Sequence, residues 1–249
     1  MGKTLDIWGG VAAREMVRTS AGPIPVIVAD RGADPSGTVV LIHGRNGAPG
    51  QAHMSAIAQA YLQAGWRVAA PEMPRSSANP GSGPPEEVTL AGHTEAARHA
   101  LDWARGCWPG KPLALAGHSM GGFAVAMIAG ETTALHHVLA VSPVLSGQRL
   151  IEARRALGPQ ALEEVEREAP LYLAELECAD AAPLLAVAAA PFAVATGAED
   201  GLVTRAHARA YFDAARDARF FCALPGLHHC PAGPACDLAL AAALAALGL

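Results

Sequence analysis

Along most of the chain, short apolar runs alternate with longer segments in which apolar residues recur at helical spacing. Residues 24–29, 38–42, 67–70, 113–116, 138–141, 192–195 and 219–224 are brief and rich in Val, Ile, Leu, Phe and Ala. Such short apolar runs suit strands buried on both faces. Between them, 54–62, 94–104, 123–129, 205–215 and 235–247 carry the helical period or an Ala-rich composition that suits a helix. Punctuation agrees. Asp34-Pro35-Ser36-Gly37 precedes the second strand, Gly65 follows the first helix, and Pro71 and Pro143 stop the strands before them. This alternation predicts an α/β fold, with a mostly parallel sheet of about eight strands flanked by helices on both faces.

Two segments depart from the pattern. Residues 71–85 are rich in Pro, Gly and Ser and too long for an idle connection, which predicts a loop at the C-terminal rim of a strand. Residues 146–190 hold Leu150, Ala153 and Leu157, then Leu162, Val165 and Ala169, at helical spacing. The expectation is one domain over 1–249 with a small helical cap inserted at 146–190. The acids of that insertion (Glu152, Glu163, Glu164, Glu166, Glu168, Glu175, Glu177 and Asp180) read as a solvated helix face.

Composition narrows the function. The 249 residues are 51% apolar and 16% charged, enough to fill a sizeable core. A net charge of −5 and the lack of any Lys/Arg block argue against a general binder of nucleic acid or anionic membrane. Residues 1–20 carry Asp6, Arg14, Glu15 and Arg18 and no long apolar stretch, so no secretory leader is expected. No uninterrupted apolar run reaches membrane-spanning length. The five cysteines (Cys107, Cys178, Cys222, Cys230 and Cys236) are then expected as reduced thiols in the cytoplasm. His228, His229, Cys230 and Cys236 match no zinc-binding spacing, so no metal is expected, and no other cofactor is implied.

The chemistry concentrates in Gly117-His118-Ser119-Met120-Gly121, followed by Gly122. This fits a G-x-S-x-G nucleophile elbow, with a strand before it and a helix after it. A serine at the apex of such a turn stands clear of both elements, and the glycines let the turn tighten. The competing reading is a Gly-rich strand–helix loop with an ordinary surface serine. A serine hydroxyl needs a base to take its proton and an acid to orient that base. Three other strand ends offer loops of interest: His43-Gly44-Arg45-Asn46-Gly47, Thr196-Gly197-Ala198-Glu199-Asp200-Gly201, and Pro225-Gly226-Leu227-His228-His229-Cys230-Pro231.

Taken together and in this order, these motifs resemble the α/β-hydrolase family over residues 24–249, in an esterase-like form. The resemblance implies Ser119 as nucleophile, Asp200 as the acid with Glu199 as its neighbouring competitor, and His229 as the base. The family often places glycine immediately before that histidine. Here His228 stands there and is the alternative base. The oxyanion hole falls to the backbone amides of Met120 and Arg45, with Asn46 as a further candidate for the second donor. His43 is expected to brace its loop and His118 to pack or hydrogen-bond locally. The Arg45 side chain offers a partner for a substrate carboxylate. His53, His93, His99, His136, His137 and His207 read as helix or surface residues.

The implied activity is hydrolysis of a carboxylic ester of a small or medium soluble substrate through an acyl-enzyme. A small acyl substrate is the only partner implied. The same apparatus serves thioesterases, amidases or peptidases, C–C bond hydrolases and acyltransferases, since specificity lives in cap and pocket. A ligand-binding protein with a hydrolase-like pocket, and a metal-dependent hydrolase built on the histidine pair, are the readings from other classes.

Overall fold

The structure, a computed structural model, describes residues 3–249; the first two residues of the N-terminal stretch 1–20 lie outside the described residues. The chain opens with an antiparallel meander of β1 (Lys3–Ile7), β2 (Gly10–Thr19) and β3 (Gly22–Ala29). Strand and helix then alternate through β4 (Thr38–Ile42), α1 (Ala52–Gln63), β5 (Arg67–Pro71), α2 (Leu90–Cys107), β6 (Leu113–His118), α3 (Met120–Glu131) and β7 (Val138–Val141). Four short helices follow: α4 (Gly147–Ala156), α5 (Pro159–Glu168), α6 (Pro170–Leu176) and α7 (Ala182–Leu185). The chain then runs through β8 (Phe192–Gly197), α8 (Arg205–Ala214), β9 (Ala218–Leu224) and α9 (Pro234–Ala246).

The nine strands of the described residues join one sheet in the order β1-β2-β3-β5-β4-β6-β7-β8-β9. β3 meets β5 antiparallel, and every pairing from β5 across to β9 is parallel. Side chains alternate between the two faces, as the pleat requires. Val40, Ile42, Leu113, Leu115, Val138 and Ala140 face a core shared with α2, α3 and α8. Val39, Leu41, Ala114, Ala116, Leu139 and Val141 face a second core shared with α1 and α9. The uninterrupted apolar runs are thus strands covered on both sides.

The chain leaves β4 toward β5 on one side and returns with β6 on the other. Ligands of open α/β sheets bind beside such a reversal, at the carboxyl ends of the strands. Ile42 pairs with Gly117 at this point, so the loop after β4 and the turn after β6 emerge side by side.

β1 and β2 stand outside the pattern of buried runs. In β2 only Ala12 and Val17 are buried, and they serve opposite faces of the sheet. Val11 and Met16 are exposed, so no two-residue alternation marks the strand. α2 starts earlier than its apolar spacing indicates. Thr89 Oγ1 accepts the Gly92 N–H at 2.9 Å, and Glu175 from α6 accepts the N–H groups of Leu90 and Ala91. One of the acids read as a solvated face is therefore a helix cap reaching across from another element.

The helices of 146–190 are tied at their base. Ser146 bridges Asp180, Gly147 N–H donates to Ala179 O at 2.9 Å, and Ala181 N–H donates to Leu145 O at 2.9 Å. The segment therefore leaves and re-enters the sheet layer at one point.

Candidate active site

Ser119 sits between β6 and α3 with φ 56° and ψ −117°, a backbone conformation unfavourable for a residue with a side chain. The surrounding bonds hold it there. Its N–H donates to Val141 O at 3.0 Å, and its carbonyl accepts from Gly122 at 2.9 Å and Val144 at 3.1 Å. The flanking glycines answer to close approach. A Cβ on Gly121 would strike Ile42 O, one on Gly117 would strike Gly121 O, and one on Gly122 would lie 2.6 Å from Pro143 Cβ. The side chain of Ser119 remains part-exposed at the turn.

His229, in the loop after β9, reaches this serine: its Nε2 lies 2.9 Å from Ser119 Oγ. Its Nδ1–H donates to Asp200 Oδ2 at 2.8 Å. Asp200 follows β8 and is buried, and its other oxygen accepts the N–H groups of Leu202 at 2.8 Å and Val203 at 2.9 Å. Two amides and an imidazole thus fix the plane of the carboxylate. With the proton on Nδ1 held by Asp200, Nε2 presents a lone pair to the serine hydroxyl.

His228 is turned elsewhere. Its Nδ1–H donates to Glu199 O at 2.9 Å, and Glu199 Oε1 accepts the Gly226 N–H at 3.2 Å. Glu199 and His228 thereby tie the two loops together on their outer side, and neither is bonded to Ser119. Gly197, at the end of β8, lies under the carbonyls of Leu227 and His228, where a Cβ would find no room.

The loop after β4 lies against the elbow. A Cβ on Gly44 would sit 2.9 Å from Ser119 Cβ. Arg45 and Asn46 are the central residues of a turn closed by Gly47 N–H donating to Gly44 O at 3.1 Å, and Asn46 has φ 56°. Met120 is the first residue of α3, a position whose N–H has no acceptor within the helix. The Arg45 side chain runs away from this turn. It pairs with Glu168 of α5 at 3.2 Å and lies over the Tyr172 ring of α6 at 5.9 Å. The arginine offered above as a partner for a substrate carboxylate is thus already engaged by a carboxylate of the chain.

Buried histidines brace this rim. His43 Nδ1–H donates to Gly44 O at 2.8 Å, and its Nε2 accepts from Met73 N–H at 2.9 Å and Asn79 Nδ2 at 3.1 Å. The Pro-rich segment after β5 is thereby clamped to the loop after β4, helped by Ser76 Oγ donating to Gly47 O at 2.6 Å. Burial lowers the pKa of His43 to about 4, which suits an imidazole that must keep an acceptor nitrogen. His93 Nε2–H donates to the His43 carbonyl at 2.9 Å. His207 of α8 accepts from Leu145 N–H at 2.8 Å, and burial followed by the Arg149 charge brings it to about 4. His118 Nε2–H donates to the backbone carbonyl of His229 at 2.8 Å. Burial first, then the neighbouring His229 and His53, push its pKa well down. His137, read from sequence as a helix or surface residue, is instead buried beside β7, with Nε2 2.9 Å from Tyr61 Oη. Nothing in the local sequence distinguishes these braces from surface histidines, because their partners come from distant segments.

Comparison with known proteins bears on the family and the fold. The family model described as alpha/beta hydrolase fold matches residues 37–170, just over half of the chain. The chain belongs to the α/β-hydrolase family. Among solved structures it is similar to Est1E from Butyrivibrio proteoclasticus with ferulic acid bound, at a TM-score of 0.78 and 17% identity, covering 93% of this chain and 98% of that one. It is also similar to an alpha-beta serine hydrolase homologue from Coxiella burnetii (TM-score 0.66, 16% identity, 92% and 95% covered). The esterase Pf2001 of Pyrococcus furiosus is a further likeness (TM-score 0.69, 17% identity, 88% and 83% covered). At these identities the likeness concerns the fold. No curated protein sequence matches the chain. Among the described residues, no helix is long and apolar enough to cross a membrane.

Proposed function

We propose that this protein is a serine hydrolase that cleaves a carboxylic ester through a Ser119–His229–Asp200 triad, in one domain with the helices of 146–190 as its cap. The observation that carries the reading is the pair of bonds on one imidazole, 2.9 Å to Ser119 Oγ and 2.8 Å to Asp200 Oδ2. Ser119 Oγ attacks the acyl carbonyl as His229 Nε2 takes its proton. Asp200 stabilises the imidazolium that forms. The amides of Met120 and Arg45 hold the oxyanion. The protonated His229 then gives its proton to the leaving alcohol, and water, activated by the same base, releases the acid. No cofactor enters any step. The cysteines are free among the described residues, which supports a reducing, cytoplasmic setting.

Est1E was solved with ferulic acid bound, so aryl-acid esters belong in the first substrate panel beside short aliphatic esters, thioesters and amides. The decisive experiment is Ser119→Ala on the ester that turns over best. Turnover should fall by ~10⁴-fold or more, because triad members act as a unit. An organophosphonate probe should label the folded wild type at Ser119 in a one-to-one ratio. A Ser119→Ala variant that keeps near wild-type turnover would sink the proposal.

A further inference from the structure

We propose that His53, His118 and Cys230 form a binding site for a zinc-class divalent cation at the back of the loop that carries His229. One ligand atom from each of the three lies within 4.8 Å of the other two. They come from α1, from the end of β6 and from the loop after β9. Sequence spacing could not reveal such a set, since zinc motifs are read from ligands close together in the chain. Two imidazole nitrogens and a thiolate sulfur suit zinc, which takes mixed nitrogen and sulfur ligands and fills a fourth position with water.

The surroundings favour this use. His53 and His118 are buried with ring centroids 4.3 Å apart, and Cys230 is exposed, which gives an ion access from solvent. His118 supplies an independent sign. Its Nε2–H is committed to the His229 carbonyl, and its Nδ1 is buried with no hydrogen-bond partner among the described residues. A buried acceptor of this kind normally has a partner. An imidazole with one nitrogen held by a carbonyl and the other carrying a free lone pair is also the form in which histidine ligates metals. Binding is balanced without redox change. The Cys230 thiol releases its proton to solvent as the metal–sulfur bond forms, and both imidazoles enter neutral.

The test uses full-length protein stripped with chelator, desalted and kept under argon. Titration with Co²⁺ alone should saturate at one equivalent with a cobalt–thiolate charge-transfer band, and Zn²⁺ should displace it. Cys230→Ser should lose the band and bind zinc at least ~10-fold more weakly, and His53→Gln should weaken it similarly. A missing band, or one that persists in Cys230→Ser, overturns the site. The cobalt spectrum needs no substrate, so failure of the site and failure of the esterase reading are separable.

Discussion

Two adjacent histidines at the end of β9 have opposite surroundings, and this sets the sharpest expectation at residue scale. His229 is bonded to a buried carboxylate and faces the serine. His228 donates to the backbone carbonyl of Glu199 and stands at the surface. On the proposed mechanism, His229→Gln removes the base and should lower kcat by ~10⁴-fold with little change in KM. His228→Gln removes one loop-to-loop bond, whose net contribution is about 0.5–1.5 kcal/mol, and should leave kcat within a few-fold. Steady-state kinetics on both variants separate them, and the reverse ranking would move the base to His228. From the sequence, a family pattern with glycine before the histidine could only rank these two. The fold distinguishes them by their partners, Glu199 O for His228 and Asp200 with Ser119 for His229, while Gly197 lets the carbonyls of Leu227 and His228 come close to the end of β8.

At the scale of elements, the elbow is legible because its physical requirements are local. A buried strand, a tight turn and a helix follow one another within about twenty residues, and the glycines sit where β4, β6 and α3 crowd together. Two glycines of otherwise similar helical setting should therefore respond in opposite ways. Gly121→Ala would drive a Cβ into Ile42 O and should lower stability by about 1–3 kcal/mol through forced backbone movement. Gly106, near the end of α2, has nothing within 4 Å of its virtual Cβ, and Gly106→Ala should raise stability by about 0.4–1 kcal/mol. Urea unfolding of the two variants measures both, and equal effects would contradict the packing described for α3. The elements that escaped the pattern did so for non-local reasons. β2 divides its few buried residues between two faces, and the first turn of α2 is completed by Glu175, far away in the sequence. The bracing histidines are hidden for the same cause. His43 gains its meaning from Met73 and Asn79, and His118 from His229.

Across the whole molecule, the same buried histidines set a limit on the pH range of the fold. Burial lowers His43, His53 and His207 to about 4, and His93 and His137 to about 3. In the unfolded chain each titrates near 6.5. Above that value both states are neutral at these positions and the histidines do not bias the equilibrium. As the pH falls from about 6.5 toward 4 and 3, the unfolded chain takes up protons that the native state refuses, so stability is lost on acidification. Each such histidine contributes a slope of about 1.4 kcal/mol per pH unit in this window. Five together, ~7 kcal/mol per unit where all are active, would exhaust a typical stability of about 5–15 kcal/mol within about one to two units. The protein is therefore expected to unfold cooperatively with a midpoint above pH 4, and its urea midpoint should already be lower at pH 5.5 than at pH 7.5. Replacing the deeply buried His137, with its Tyr61 bond, by Gln should weaken this pH dependence while lowering stability at neutral pH. Circular dichroism through urea titrations at several pH values measures the slope directly. An unchanged urea midpoint between pH 7.5 and 5 would mean that these imidazoles accept protons in the native state, contrary to their burial and hydrogen bonding.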